Sequence, residues 1–62
     1  MTTNNLHNLM TQMIQEQKSL WRIENNYIKE SGSDVEKEFW TKLGNEKKMH
    51  VEELRKLIKE TI

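Results

Sequence analysis

The sequence predicts an all-α fold: an antiparallel helical hairpin that dimerises into a four-helix bundle. Three observations carry this expectation. Apolar residues recur at helical spacing over two long stretches, one turn signal at Gly32-Ser33 divides the chain into near-equal halves, and none of the 62 residues is proline. Residues 1–62 are read as a single helical-hairpin domain, with helix 1 at about 5–30, a turn at 31–33 and helix 2 at about 34–60.

Helix 1 opens after the polar run "TTNN", which offers an N-cap. At about 100° per residue, Leu6, Met13, Leu20 and Tyr27 fall in one column, and Ile14, Trp21 and Ile28 in a second about 90° away. With Leu9, Met10 and Ile23, the apolar arc covers about half of the helix. In the turn, Gly32 suits the left-handed conformation that ends a helix, and Ser33-Asp34-Val35-Glu36 has the form of a capping box. Helix 2 centres its arc on Phe39, Leu43, Leu54 and Leu57, with Trp40, Val51 and Ile58 on one flank. Its opposite face, Glu38, Lys42, Lys48, Glu52, Lys56 and Lys59, reads as solvated and laced with i,i+4 charge pairs. Gly44 interrupts helix 2 and is read as a weak spot, a close helix contact or a kink near His50.

An arc that wide is more than one neighbouring helix covers. A chain this short, with no cysteine for a disulfide, also has too small a core to stand alone. Both considerations predict a homodimer or higher homo-oligomer. The expected interface is Leu6, Met10, Met13, Ile14, Leu20, Trp21, Tyr27 and Ile28 of helix 1 with Phe39, Trp40, Leu43, Val51, Leu54, Leu57 and Ile58 of helix 2. The same faces suit a helix of another protein.

Ten basic and ten acidic residues cancel, so no global field attracts nucleic acid or an acidic membrane surface. No membrane span and no signal-peptide pattern are present, and a cytoplasmic location is expected. There is no phosphate-binding glycine loop, cysteine nucleophile or serine–histidine–acid arrangement, so an enzyme is not expected.

Several polar residues nevertheless fall within the arcs or at their edges: Glu16, Gln17 and Glu24 on helix 1, and Glu46, Lys47 and His50 on helix 2. With a turn at Gly32, residues whose numbers sum to about 64 lie level, which sets Glu16 and Gln17 against Lys47, with His50 one turn away. A buried charge needs a partner, and two chemistries supply one. One is internal neutralisation, in which Glu16 or Glu24 pairs with Lys47 and His50 is hydrogen-bonded to a glutamine or carboxylate. This gives a polar layer of Glu16, Gln17, Glu24, Lys47 and His50 with no cofactor. The other is a metal, because carboxylates and a histidine on facing bundle helices suit iron or manganese.

Over residues 14 to 57 the chain resembles the ferritin-like superfamily, especially rubrerythrin-type and encapsulated-ferritin hairpins. "IQEQKSLW" is similar to the family's first metal helix and "FWTKLGNEKKMHVEEL" to its second, where Glu-x-x-His supplies two ligands. The resemblance implies a metal-binding or oxidase subunit with Glu16 and His50 as ligands and Glu46 or Glu53 completing the set. The chain departs from the pattern at the glutamate three before the histidine, where it has Lys47. His7 is expected to be exposed. The leading expectation is a small non-enzymatic interaction or regulatory protein; the alternative is a ferritin-like iron or manganese subunit.

Overall fold

Helical periodicity carries the chain from Thr3 to Arg22 as α1 and then, without a break in winding, through a π-helical turn at Ile23–Tyr27. The second helix, α2, spans Asp34–Thr61 and packs antiparallel along α1. The computed structural model describes residues 3–62, a rod of 45 × 14 × 12 Å. Among the described residues there is no strand, and no helix is long and apolar enough to cross a membrane. Thr2 and the side chain of Thr3, candidates for the first cap, lie outside the described residues.

Helix 1 ends differently from the expected regular run to about residue 30. The Ile28 N–H reaches back five residues to the Ile23 carbonyl at 3.1 Å, which defines the π-turn and inserts one residue into the winding. Asn25 Nδ2 donates to the Trp21 carbonyl at 2.9 Å beside it, and Ser31 Oγ donates to the Tyr27 carbonyl, also at 2.9 Å. Side chains therefore donate to two carbonyls at the two ends of the π-turn.

Gly32 is a correction: no glycine in the described chain has positive φ, so the helix does not end on a left-handed glycine. Ser33, extended at φ −158° and ψ 165°, caps α2 by accepting the Glu36 N–H at 3.2 Å. The Glu36 carboxylate reaches back past Ser33 to accept the Gly32 N–H at 2.7 Å. This is a capping box displaced by one residue, with both groups still serving otherwise open donors.

Gly44 resolves as a close helix contact, with α2 continuous through it. It is buried, and a Cβ placed there would lie 3.4 Å from Ile23 Cγ2 and 3.8 Å from Leu20 Cδ1. Among the described residues Ile23 is the most enclosed side chain at 1% exposure, and Val51 is the other buried apolar residue. Leu6, Leu9, Met13, Leu20, Tyr27, Ile28, Trp40, Leu43, Leu54 and Ile58 are half-buried. Near the turn the core is aromatic: Tyr27 and Trp40 ring centroids lie 4.8 Å apart, and Phe39 meets Trp40 edge-on at 5.2 Å.

Candidate functional site

Two features stand out on this rod: a charged cluster within the helix interface and apolar residues outside it. The cluster is centred on Glu16, only 8% exposed, in the same heptad column as Leu9 and Ile23. Across from it on α2, Lys47 and His50 are three residues apart and so share a face. Lys47 Nζ lies 2.7 Å from Glu16 Oε2, and His50 Nδ1 lies 3.2 Å from Oε1. An ionised carboxylate only accepts, so the His50 contact places the proton on Nδ1.

Each carboxylate oxygen thus faces its own cationic or donor group. The Lys47 ammonium holds the Glu16 carboxyl below the usual glutamate range; burial opposes this shift, and His50 adds to it. The other residues expected in the layer stand outside it. Gln17 is exposed, one residue and about 100° beyond Glu16. Glu24 is also exposed and pairs with Lys48 at 3.2 Å rather than with Lys47. The buried layer therefore narrows to Glu16 and Lys47, with His50, expected inside the arc, instead exposed at its edge and reaching Glu16 from there. His7 is exposed, with Nε2 3.4 Å from Thr11 Oγ1.

The same geometry tests the iron or manganese site that the ferritin-like resemblance implies. Glu16 and His50 come together, but the Lys47 ammonium sits where a cation would draw the carboxylate. Glu46 and Glu53 are exposed along α2. Among the described residues, no three His, Asp or Glu side chains gather in a way that could hold a metal ion. One carboxylate already neutralised and one imidazole do not fit a carboxylate-rich metal pair.

The expected interface residues divide in two. Leu6, Met13, Leu20, Tyr27, Ile28, Trp40, Leu43, Val51, Leu54 and Ile58 are wholly or partly covered within the hairpin, whereas Met10, Ile14, Trp21, Phe39 and Leu57 remain exposed. Trp21 is 60% exposed and Phe39 56%. Met10 and Gln17 share a heptad column with Glu24, whose pairing with Lys48 marks one flank of the rod. Leu43 and Leu57 share a column with His50, whose contact with Glu16 marks the opposite flank. The exposed apolar residues of α1 and α2 consequently face opposite ways.

Comparison with protein-family models, curated proteins and solved structures finds no match. The resemblance to ferritin-like hairpins therefore stands on the residues of this chain alone.

Proposed function

We propose that this chain is a non-enzymatic helical interaction and regulatory module that acts as a homodimer, two hairpins supplying four helices, and engages a helix of another protein through apolar surface left open. The observation carrying this reading is the imbalance of the apolar surface. Among the described residues only Ile23 and Val51 are buried apolar ones, while eight large apolar residues are exposed, including Met10, Ile14, Trp21, Phe39 and Leu57. The hairpin exposes 4931 Å², against about 4,200 Å² for a folded monomer of 7.5 kDa by the usual scaling.

The charged layer fits the same role. A carboxylate neutralised by an ammonium inside an apolar interface sets helix register, as a polar residue does in a coiled-coil seam. Glu16, Lys47 and His50 thereby hold the hairpin in one alignment and fix which residues it presents outward.

Sedimentation velocity on the full chain at micromolar concentration tests the proposal. A species of twice the 7.5 kDa chain mass is expected. A cooperatively folded monomer would overturn it.

A further inference from the structure

We propose that the second copy docks on α1, with the stripe Met10, Ile14, Gln17 and Trp21 packed antiparallel against its own copy about a two-fold axis at the middle of the stripe. This rests on the self-association proposed above and adds the face that mediates it.

The stripe has the pattern an isologous antiparallel seam requires. Its residues are spaced by four, three and four, an interval series that reads the same in both directions. Antiparallel pairing therefore sets Met10 against the partner's Trp21 and Ile14 against the partner's Gln17, twice over. The outer contact is chemically suited, because a methionine thioether packs well at an indole edge, and at the centre the two glutamine amides lie near enough to the axis to hydrogen-bond across it. The three apolar members are all exposed in the hairpin, and Trp21 at 60% is the largest side chain among them.

Charge decides between this face and the other one. Residues 1–15 contain no Asp, Glu, Lys or Arg, and the four stripe residues are uncharged, so a seam there buries no formal charge of its own. The exposed apolar residues of α2 are interrupted: Glu46 and Glu53 follow Phe39 at seven-residue intervals, and His50 lies between Leu43 and Leu57 in the adjacent column. Pairing α2 with its copy would strip water from those carboxylates. Because the two stripes face opposite flanks, one two-fold interface cannot use both.

The α1 stripe is also bordered by a polar margin. The Glu24–Lys48 pair, which joins the two helices at 3.2 Å, and the Arg55–Glu52 pair on α2 at 2.8 Å lie on the same flank. An apolar centre with a charged rim is the usual anatomy of a protein interface.

The test combines three single variants of the full chain with circular dichroism to confirm retained helicity. In sedimentation equilibrium, Trp21→Gln is expected to raise the dimer Kd at least about 30-fold, as loss of a tryptophan hot spot does, whereas Phe39→Gln changes it less than about threefold. The chain has no cysteine, so Gln17→Cys gives a unique thiol. Packed helices lie about 8–10 Å apart, and a short bis-maleimide should join two Gln17→Cys chains efficiently but not two Leu57→Cys chains. A wild-type dimer that survives Trp21→Gln, dissociates with Phe39→Gln and cross-links through Leu57→Cys would overturn the α1 seam while leaving self-association intact. A monomeric wild type would overturn both.

Discussion

Replacing Lys47 by methionine keeps most of the side-chain volume and removes the charge beside Glu16. Losing one partner of a buried ion pair costs about 3–5 kcal/mol, because the other charge is left unpaired in a poorly solvated place. Here Lys47 retains 23% side-chain exposure and His50 Nδ1 still lies 3.2 Å from Oε1, so the expected loss is smaller, about 1.5–3 kcal/mol. For a domain of this size that corresponds to about 6–24 °C in Tm, measured by far-UV circular dichroism at fixed chain concentration. The pH dependence supplies an independent signature. Glu16 has a folded pKa below its unfolded value, so its stabilisation is present above the unfolded pKa and lost as pH falls through the folded one. Without Lys47 the main lowering influence is gone and burial opposes only His50. The folded pKa then rises, the variant begins to weaken at higher pH, and its deficit against wild type shrinks once acid protonates Glu16 in both. Lys48→Met is the control: its partner Glu24 and Lys48 itself are both about half exposed, so the change should stay within ~1 kcal/mol. A Lys47→Met chain within about 0.5 kcal/mol of wild type at neutral pH, or a deficit that does not vary with pH, would refute the assigned role of this pair.

Three further outcomes follow from the geometry. Gly44→Ala should stabilise the chain by up to about 1 kcal/mol, because the helix gains propensity and the new methyl lies at ordinary contact distance from Ile23 and Leu20; Gly44→Leu should destabilise it by about 1–3 kcal/mol through overpacking, both read by urea denaturation. Ser33→Ala removes the hydroxyl that accepts the Glu36 N–H and should cost about 1 kcal/mol, seen as a lower urea midpoint with an unchanged slope. Lys47→Glu replaces the neutralising ammonium with a carboxylate beside Glu16 and His50, and isothermal titration with manganese(II) should show tighter binding than wild type; no gain would leave the proposed link between this layer and a metal helix unsupported.

Much of the architecture was legible because local signals agreed with one another. Ser33 and Glu36 announce the start of α2, and the level rule that places Glu16 across from Lys47 follows from the position of the turn alone. The rotation of α1 about its own axis was not legible. Its apolar arc spans about half the helix, and nothing in the sequence pattern says which edge faces α2. Contact between Ile23 and Gly44 sets that rotation: the column Leu9, Glu16 and Ile23 turns inward, and Ile14 and Trp21 turn out. Gln17 and Glu24 leave the polar layer for the same reason, each one residue past a member of the inward column. The handedness of Gly32 was misread because the π-turn and Ser31 already satisfy carbonyls at the end of α1, and the Gly32 N–H finds a carboxylate in Glu36.

The core and the exposed face of α1 are therefore one problem in helix rotation. A bulkier residue at position 44 would push Ile23 away, and with only Ile23 and Val51 buried among the apolar residues described, the hairpin has little apolar burial to resist a roll. Rolling α1 would draw Trp21 toward α2 and carry Glu16 toward solvent, away from Lys47. The ion pair opposes that motion, since separating a carboxylate from an ammonium at 2.7 Å in a partly dehydrated site costs more than sliding apolar side chains past one another. Gly44 lets the helices approach, and the Glu16–Lys47–His50 cluster locks their rotation. Their joint consequence is an uncharged stripe of Met10, Ile14, Gln17 and Trp21 held in a fixed direction, the condition for a self-complementary surface to pair in a single register.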